Sequence, residues 1–282
     1  MTSKMWATTV AFSICPRINA AGRIAAADKA VQLLMADSPE QAGLLSEELN
    51  LMNENRRAEE ARIMEDVSRQ LESDPSILRE RVLVVSGEGW HHGVIGIVAA
   101  RLLEKYGKPV LMISVENGEA RGSARGIDGF SIYKLLDRCS RVLTKFGGHP
   151  KAGGFSLPAD RVEDFRQMVY AFCRECYPKM PEYTVSADME ITGDRLTEEA
   201  LNSLSQLEPC GEGNQRPVFL LRNCTVESKR ALKDGRYTSF ELRSGGVKLK
   251  ALCFGIPFAK FHPEQGSMVD IIAAAELNEF RG

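Results

Sequence analysis

Residues 82–115 read VLVVSGEGWHHGVIGIVAARLLEKYGKPVLMISV, and this stretch decides the fold of the central part of the chain. It begins with a short, continuously apolar run at 82–86, which is typical of a buried strand. A glycine-rich turn follows, and then an amphipathic segment, 94–106, which Gly107 ends as glycine often does after a helix. A second apolar run occupies 109–115. This order predicts a parallel strand pair joined by a right-handed helical crossover.

The residues after this unit extend the α/β pattern. Residues 119–126 alternate well enough to predict a third strand, with Arg121, Ser123 and Arg125 on one face. Helices are predicted at 131–142 and 160–177, with a short strand at 155–157 between them. The pattern therefore predicts an α/β domain over residues 76–180.

A ten-residue segment inside this domain, 145–154, reads KFGGHPKAGG and surrounds His149 with four glycines and a proline. It is predicted to be a loop, because glycine lets the backbone bend and lets another group approach closely. Backbone N–H groups of such a loop can converge on a phosphate or a metal-bound oxyanion. The alternative is a glycine-rich turn with an incidental histidine.

Residues 1–75 are predicted to form a helical extension. A short helix is expected at 4–14, another at 25–35, and one helix of about 50 Å at 38–73, whose polar second half is typical of a bridge between domains. The segment 16–23, PRINAAGR, has no helical period. Its arginines, Arg17 and Arg23, suit bidentate phosphate contacts, although a helix–helix connection with surface charges is the alternative.

Residues 181–282 change to a β pattern, with one short helix at 198–207. Strands are predicted at 185–191, 217–229, 237–243, 247–254 and 269–277. Five strands with one helix indicate a small β-barrel, of which the OB-fold is a common host for oligonucleotides. A basic and aromatic face suits single-stranded nucleic acid and comprises Lys248, Lys250, Arg236, Arg243, Tyr237 and Phe240. A lysine-edged strand pair that resists aggregation is the alternative.

Composition gives weaker indications. The 282 residues carry a formal net charge of −2, and the basic residues concentrate in 76–180 and 216–260, which favours a polyanionic partner. The 7 cysteines are odd in number and scattered, as expected for reduced thiols in a cytoplasmic protein. Cys173 and Cys176 have zinc-like spacing, but two faces of one helix explain it better. Neither a membrane span nor a signal peptide is predicted.

Five motifs together resemble one family. In order they are PRINAAGR (16–23), GWHHGVIG (89–96), SAR (123–125), GGHPKAGG (147–154) and LEPCGEGN (207–214). They resemble RecJ, the bacterial single-strand-specific 5′→3′ DNA exonucleases of the DHH phosphoesterase superfamily, and the resemblance covers nearly the whole chain. The GGH segment by itself marks the wider class of DHHA1 domains.

The resemblance implies three domains: the tail of a DHH domain with the long connecting helix (1–75), a DHHA1 domain (76–180) and an OB-fold (181–282). Full-length members bind two Mn²⁺ or Mg²⁺ ions in their DHH domain. The sequence has no Asp-His-His triplet, so no metal ligand is expected in this chain. We expect a fragment that is inactive alone, with the DHH domain supplied upstream or by another chain. The final barrel strand also looks absent, because the sequence ends on a predicted hairpin turn at 278–282.

The resemblance also implies roles for individual residues. His149 would stabilise negative charge at the scissile phosphate, while Gly147 and Gly148 let the strand pass close. The terminal 5′ phosphate would be held by residues of two motifs: Ser123, Arg125 and one of Arg17 or Arg23. Asn19 would also contact the substrate. His91 and His92 are expected to hold their loop or its neighbours, and a part in the chemistry is the alternative. A face with Lys248, Lys250 and Tyr237 would feed single-stranded DNA to a monomeric enzyme.

Two other functions are compatible with the sequence. The first is a non-catalytic module that binds single-stranded nucleic acid. The second is a DHH-superfamily phosphatase or phosphodiesterase for nanoRNA, cyclic dinucleotides or bisphosphonucleotides. Members of the second group generally lack the barrel and the LEPCGEGN connector, which disfavours them here.

Overall fold

The computed structural model describes residues 9–24, 27–211, 213–254 and 256–277. The chain divides into two compact units, Met1–Thr184 and Val185–Gly282. Parts of the helices predicted at 4–14 and 25–35, one residue of the LEPCGEGN connector and the turn predicted at 278–282 lie outside the described residues. None of the described helices is both long and apolar enough to cross a membrane.

The first unit begins with helices. A π-helical turn, Val10–Ile14, leads into three α-helices: α1 (Cys15–Ile24), α2 (Asp28–Leu34) and α3 (Pro39–Ser73). The non-periodic connection predicted at 16–23 is wrong, because these residues form most of α1. Ala20 and Ala21 are fully buried, and Ala21 packs with Leu49 of α3, so tertiary contacts hold a helix that the local pattern does not indicate.

The long helix α3 has 35 residues and begins where predicted, with Ser38 Oγ accepting a hydrogen bond from Gln41 N at 3.2 Å. The expectation that its second half bridges domains without lying on a core is wrong. Ile63, Val67 and Leu71 recur every four residues and are buried against the sheet. Such a stripe is narrow but sufficient to bury one face of an otherwise polar helix.

The rest of the first unit is a five-stranded sheet with helices between its strands. In chain order the elements are β1 (Leu83–Glu88), α4 (His92–Tyr106), β2 (Val110–Glu116), β3 (Glu119–Arg125), α5 (Ile132–Arg138), β4 (Lys145–His149), β5 (Ala152–Pro158) and α6 (Val162–Cys176). The strand order is β1-β2-β3-β5-β4. β1 and β2 are parallel, which confirms the predicted strand–helix–strand unit, and all other pairs are antiparallel.

Helices pack on both faces of this sheet but leave one face partly exposed. Because side chains alternate along a strand, Val85 and Met112 point to a core shared with α3 and α4, whereas Val84 and Leu111 point to a core shared with α5 and α6. Ala120, Ala124 and Phe155 face the α5/α6 core. The other face of β3, β5 and β4 keeps several exposed positions, and it carries the candidate site described below.

The loop predicted at 145–154 is a β-hairpin, so that prediction is wrong. Gly147 pairs with Gly154 and His149 with Ala152, which restricts the turn to Pro150 and Lys151. The segment lacks a clear strand signal because its glycines supply no side chain to either face. Phe146 and Phe155 provide the apolar anchors that hold the hairpin on the α5/α6 core.

The second unit contains another five-stranded sheet. Its elements are β6 (Met189–Glu190), α7 (Glu198–Leu204), β7 (Phe219–Leu232), β8 (Tyr237–Ser244), β9 (Val247–Cys253) and β10 (Met268–Ala273). β7 is central, with β10 on one side and both β6 and β8 on the other, and β9 follows β8. Within the described residues the sheet stays open between β9 and β10, so the predicted strands form an incompletely closed barrel. The first predicted strand, 185–191, shrinks to β6.

A buried ion pair within α3 is also contacted by an arginine of α4. Glu60 is 3 % exposed, and its Oε2 accepts a hydrogen bond of 2.6 Å from Arg56 Nη1, whose side chain is 11 % exposed. Nε of Arg101, on α4, lies 2.5 Å from Glu60 Oε1. The buried Asn53 Oδ1 accepts from Arg56 Nη2 at 3.2 Å.

We expect Glu60→Ala to lower the free energy of unfolding of the first unit by about 3 kcal/mol, because it leaves the Arg56 guanidinium buried without its carboxylate. Urea denaturation followed by circular dichroism measures the change. Glu54→Ala on the exposed face of α3 is the matched control and should change stability by less than about 0.5 kcal/mol. Equal effects of the two substitutions would show that the buried Arg56–Glu60 pair adds nothing measurable to stability.

Candidate nucleic-acid interface

Arg125 and Ser123 form a polar cluster against α4. Arg125 Nη1 donates hydrogen bonds to Ser123 Oγ at 3.2 Å and to Ala124 O at 2.8 Å, so the guanidinium lies beside Ser123. A Cβ on Gly96 of α4 would come within 2.9 Å of Ser123 Oγ and 3.0 Å of Arg125 Nη2. The missing side chain at Gly96 therefore lets the helix approach the cluster closely.

Arg23 lies beside the cluster of Arg125 and Ser123. Its Nη1 donates to the carbonyl oxygen of Gly93 in the first turn of α4 at 3.4 Å. Burial, and secondly the positive charge of Arg23, lower the pKa of Arg125. Among the described residues neither arginine forms an ion pair with a carboxylate. Two neighbouring cations beside the positive end of a helix dipole favour a bound anion, phosphate above all.

The structure distinguishes the two arginines that the sequence left open. The Arg17 guanidinium donates to Asn50 Oδ1 and to the carbonyl oxygen of Ser13, within the helical extension. Arg23, not Arg17, contacts α4 beside Arg125. Asn19 is exposed, and its side chain forms no hydrogen bond with the part of the chain that the structure describes.

Three cross-strand rows of residues make up a surface that we call the open face. Cross-strand partners point to the same side of a sheet, so the pairing of β3 with β5 and of β5 with β4 defines the rows. They are Arg125–Ala152–His149, Ser123–Gly154–Gly147 and Arg121–Ser156–Lys145. The middle row, Ser123–Gly154–Gly147, has little side-chain bulk, and we call it the floor. The row on each side of it carries a cation or an imidazole at both ends.

The glycines of the hairpin fall into two kinds. A Cβ on Gly148 would lie 2.3 Å from the carbonyl oxygen of Ala152, and its φ of 144° strongly favours glycine. A Cβ on Gly153 would come within 2.9 Å of side chains of α5. At Gly147, by contrast, no described atom lies within 4 Å of such a Cβ, and at Gly154 the nearest is 3.9 Å away. Packing explains Gly148 and Gly153 but leaves Gly147 and Gly154 unexplained.

His149 is exposed at the end of β4. Its Nδ1 accepts a hydrogen bond from the backbone N–H of Lys151 at 3.3 Å. A neutral imidazole that accepts at Nδ1 carries its proton on Nε2. The hairpin turn therefore fixes a tautomer whose Nε2–H is a donor available to a ligand.

His91 holds its loop, as the sequence predicted. Its Nδ1 accepts from Gly93 N at 3.1 Å and caps α4, and its own backbone N–H donates to Glu59 Oε1 at 3.0 Å. The hydrogen bond from Arg62 is the largest cause that lowers the pKa of Glu59. Arg62 Nη2 also donates to Gly89 O at 2.8 Å. Hydrogen bonds from side chains of α3 thereby stabilise the turn that begins α4. His92 is exposed and stacks on His91, with ring centroids 5.0 Å apart.

In the second unit, only part of the predicted basic face is free to bind nucleic acid, because two of its cations are paired with a carboxylate. Lys248 Nζ lies 2.9 Å from Glu227 Oε2, and Arg243 pairs with the same carboxylate. The hydrogen bond from Lys248 is the main cause that lowers the pKa of Glu227. The prediction that Phe240 contributes to this face is wrong, because the ring is 6 % exposed and belongs to the core. Phe240 alternates with its outward neighbours, which turns it to the other side of the sheet.

Lys250 and Tyr237 do lie on the outer face of the second sheet. Lys250 and Arg230 contribute to the lining of a cavity of about 130 Å³. The Tyr237 ring contacts the 65 % exposed Phe254 edge to face, with centroids 5.4 Å apart. Lys233 Nζ lies 5.8 Å from the centroid of the Tyr237 ring. An aromatic pair with one exposed and one half-buried ring can stack with the bases of a single strand, and the neighbouring cations can neutralise its phosphates.

The two cysteines with zinc-like spacing differ in environment. Cys173 is buried and Cys176 exposed, both as free thiols on α6, in line with two faces of one helix. Burial raises the pKa of Cys173 to about 12. Across the described ranges, no group of three or more His, Cys, Asp and Glu side chains converges to hold a metal ion. The described side chains therefore do not fit the metal pair that the family resemblance implies.

Comparisons with known proteins agree with this architecture. The model of the DHHA1 domain matches residues 79–175, and the model of the RecJ OB domain matches residues 187–282. The chain is therefore a protein in which a DHHA1 domain precedes an OB domain, and the α/β and OB assignments are confirmed.

The particular family follows from relatives that match nearly the whole chain. The single-stranded-DNA-specific exonuclease RecJ of Bacillus subtilis is 30 % identical over 96 % of this chain, and that of Escherichia coli is 29 % identical over 99 %. The chain carries the DHHA1 and OB domains of the RecJ family. It spans 35 % of the Bacillus relative and 50 % of the Escherichia relative.

Solved structures give the same result. The crystal structure of RecJ from Thermus thermophilus in complex with Mn²⁺ covers 98 % of this chain with a TM-score of 0.80 and 30 % identity, and this chain covers 40 % of that protein. The complex of the same organism's RecJ with Mg²⁺ gives a TM-score of 0.72 at 28 % identity, covering 98 % of this chain and 44 % of that one. This one relative was thus solved in complex with either metal ion.

Sequence reasoning missed four residues of the site: Gly96, Gly154, Lys145 and Ser156. The available signal was the alternation at 119–125, which identified one face of β3 correctly. The hairpin pairing that adds β5 and β4 to this face was not visible, because its glycines suggested a loop.

Proposed function

We propose that this chain supplies the DNA-binding half of the cleft of a RecJ-like 5′→3′ exonuclease that hydrolyses single-stranded DNA. The observation that carries the proposal is the open face, where Gly147 and Gly154 leave a bare floor that no packing requirement explains. A sugar–phosphate backbone needs such a close approach, and the floor ends at the cluster of Ser123 and Arg125. The relatives, single-stranded-DNA-specific exonucleases by name, support the substrate class.

The proposed roles follow from the contacts. Arg125, Ser123 and Arg23 bind the terminal 5′ phosphate. Neither arginine is paired with a carboxylate of the described ranges, and both cations and the start of α4 favour a dianion. His149 donates Nε2–H to a nonbridging oxygen of the next phosphate and stabilises the charge that develops during cleavage. In the second unit, Lys250 and Tyr237 contact single-stranded DNA, whereas Lys248 must first leave Glu227 to do so.

Metal chemistry in this proposal belongs to a DHH domain upstream or on another chain. In such a domain two Mn²⁺ or Mg²⁺ ions would activate the attacking water. The residues of this chain bind and orient the strand and neutralise its charge. We further infer a cytoplasmic location, a proposal supported by the seven free thiols. That the protein is a monomer stays a prediction.

The test is binding of oligonucleotides to the full chain, measured by fluorescence anisotropy. A 5′-phosphorylated single strand should bind more tightly than its 5′-hydroxyl form and than a blunt duplex, and affinity should fall steeply with salt because phosphate contacts release counterions. With Mn²⁺ present, the chain alone should leave the strand intact. Equal affinity for duplex and single strand, or affinity insensitive to salt, would contradict the proposal. Binding that survives without any 5′-phosphate preference would favour a general single-strand-binding module.

A further inference from the structure

The third row of the open face, Arg121–Ser156–Lys145, carries two cations that have no role in the proposed function. Arg121 on β3 and Lys145 on β4 lie at its two ends, with Ser156 of β5 between them. The Arg121 side chain is 58 % exposed, and its ion partner, the 75 % exposed Glu119, is 3.7 Å away. Lys145 is exposed and forms no ion pair with the described residues. An exposed pair of this kind contributes little, so both cations are available to a ligand.

This row mirrors the first one across the glycine floor. On β3, Arg125 and Arg121 flank Ser123, and on β4, His149 and Lys145 flank Gly147. Each flanking residue is two positions from the centre, which is about 7 Å along a strand. On β5, which lies between β3 and β4, the residues that flank the central Gly154 are the uncharged Ala152 and Ser156. Charge is therefore concentrated at two places, over β3 and over β4.

The spacing of these two places suits neighbouring phosphates. β3 and β4 are two strands apart, or about 10 Å. Successive phosphates of a single strand are separated by six covalent bonds and lie about 6–7 Å apart when extended. The distance between the strands exceeds the distance between the phosphates by about 3 Å. Long, flexible arginine and lysine side chains that point towards β5 can make up this difference. The uncharged middle then lies under the sugar of the first nucleotide.

We propose that Arg121 and Lys145 form a second phosphate-binding wall, opposite Arg125 and His149. Arg121 contacts the terminal 5′ phosphate, and Lys145 contacts the next phosphate on the side away from His149. The inference rests on the proposed function, because it takes the position of the first phosphate from Arg125 and Ser123. It adds that the first nucleotide runs across the strands, from β3 over β5 to β4.

The experiment uses the full chain and three short ligands: thymidine 5′-monophosphate (pT), the dinucleotide pTpT and its 5′-hydroxyl form TpT. Affinities are measured by NMR titration at several salt concentrations. Arg121→Gln should reduce the preference for pTpT over TpT about fivefold. Lys145→Gln should leave that preference unchanged but reduce the preference for pTpT over pT about fivefold. Each variant should lower the salt slope for pTpT by about 0.7, the value for one phosphate of a single strand.

Matched controls lie on the opposite side of the sheet, on α5. Arg138→Gln and Lys134→Gln remove the same charges from exposed positions and should change neither preference. If Arg125→Gln weakens pTpT binding while Arg121→Gln and Lys145→Gln behave like these controls, the second wall is wrong and the proposed function stands. Two results would overturn both proposals. In the first, the unsubstituted chain shows no preference for pTpT over TpT. In the second, it shows that preference, but Arg125→Gln does not remove it.

Discussion

Arg125→Gln is expected to weaken binding of a 5′-phosphorylated single strand about 100-fold while leaving the affinity for the 5′-hydroxyl strand nearly unchanged. The guanidinium is positioned by Ser123 Oγ and Ala124 O, and no described carboxylate neutralises it. Two charge-assisted hydrogen bonds to a phosphate are together worth about 3 kcal/mol, which corresponds to roughly two orders of magnitude in affinity. Anisotropy with the two oligonucleotides measures the loss directly as the ratio of their dissociation constants.

The helical extension offers a matched comparison for Arg125. Arg23→Gln should lower the 5′-phosphate preference about tenfold, because Arg23 lies against Gly93 at the start of α4 and loses a single cation contact. Arg17→Gln should leave the preference unchanged, since that guanidinium is bound to Asn50 and Ser13. A preference that depends on Arg17 and not on Arg125 would mean that the phosphate site lies elsewhere.

The second large effect separates the two kinds of glycine in the hairpin. Gly147→Val is expected to keep the free energy of unfolding within about 0.5 kcal/mol, because its side chain enters open space on an exposed strand position where a β-branched residue is favourable. The same substitution should weaken single-strand binding at least about tenfold, because the isopropyl group occupies the floor that the backbone approaches. Urea denaturation and anisotropy on the same variant provide the two readouts.

Gly148→Ala should give the opposite pattern. Its φ of 144° and the 2.3 Å approach of a Cβ to Ala152 O demand glycine, so the substitution should cost about 2 kcal/mol or more of stability. Whatever fraction remains folded should still bind, because the strain lies within the hairpin. If Gly147→Val binds normally, the bare floor has no role in recognition. If it unfolds the protein, packing that the geometry does not show requires this glycine.

Much of the site was predictable from the sequence, one motif at a time. The alternation at 119–125 placed Arg121, Ser123 and Arg125 on one face, and the start of α4 was recognised from its glycine-rich turn. His149 stood out as one of only 4 histidines in the chain. The choice between Arg17 and Arg23 was not predictable, because both lie on one short segment whose helix forms only through the burial of Ala20 and Ala21.

The basic face of the second unit shows the same limit. The sequence placed Lys248, Lys250 and Tyr237 on one strand face; both lysines are exposed and Tyr237 is half-buried. It could not reveal that Glu227, on a different strand from Lys248, engages that lysine across the sheet. Nor could it assign Phe240 to the core, since an aromatic residue in an alternating strand suits either face until the sheet's packing partner is known.

By itself, the sequence determined the α/β and OB architecture, the long helix α3, the parallel β1–β2 pair and the identity of the residues that can bind phosphate. These features follow from local patterns: apolar period, helix capping and turn chemistry. Only the tertiary structure decided that residues 145–154 form a hairpin and that its register aligns Gly147 with Gly154 and Ser123. The physical reason is that strand register is set by side chains on neighbouring strands, and glycines contribute none that a local pattern could reveal.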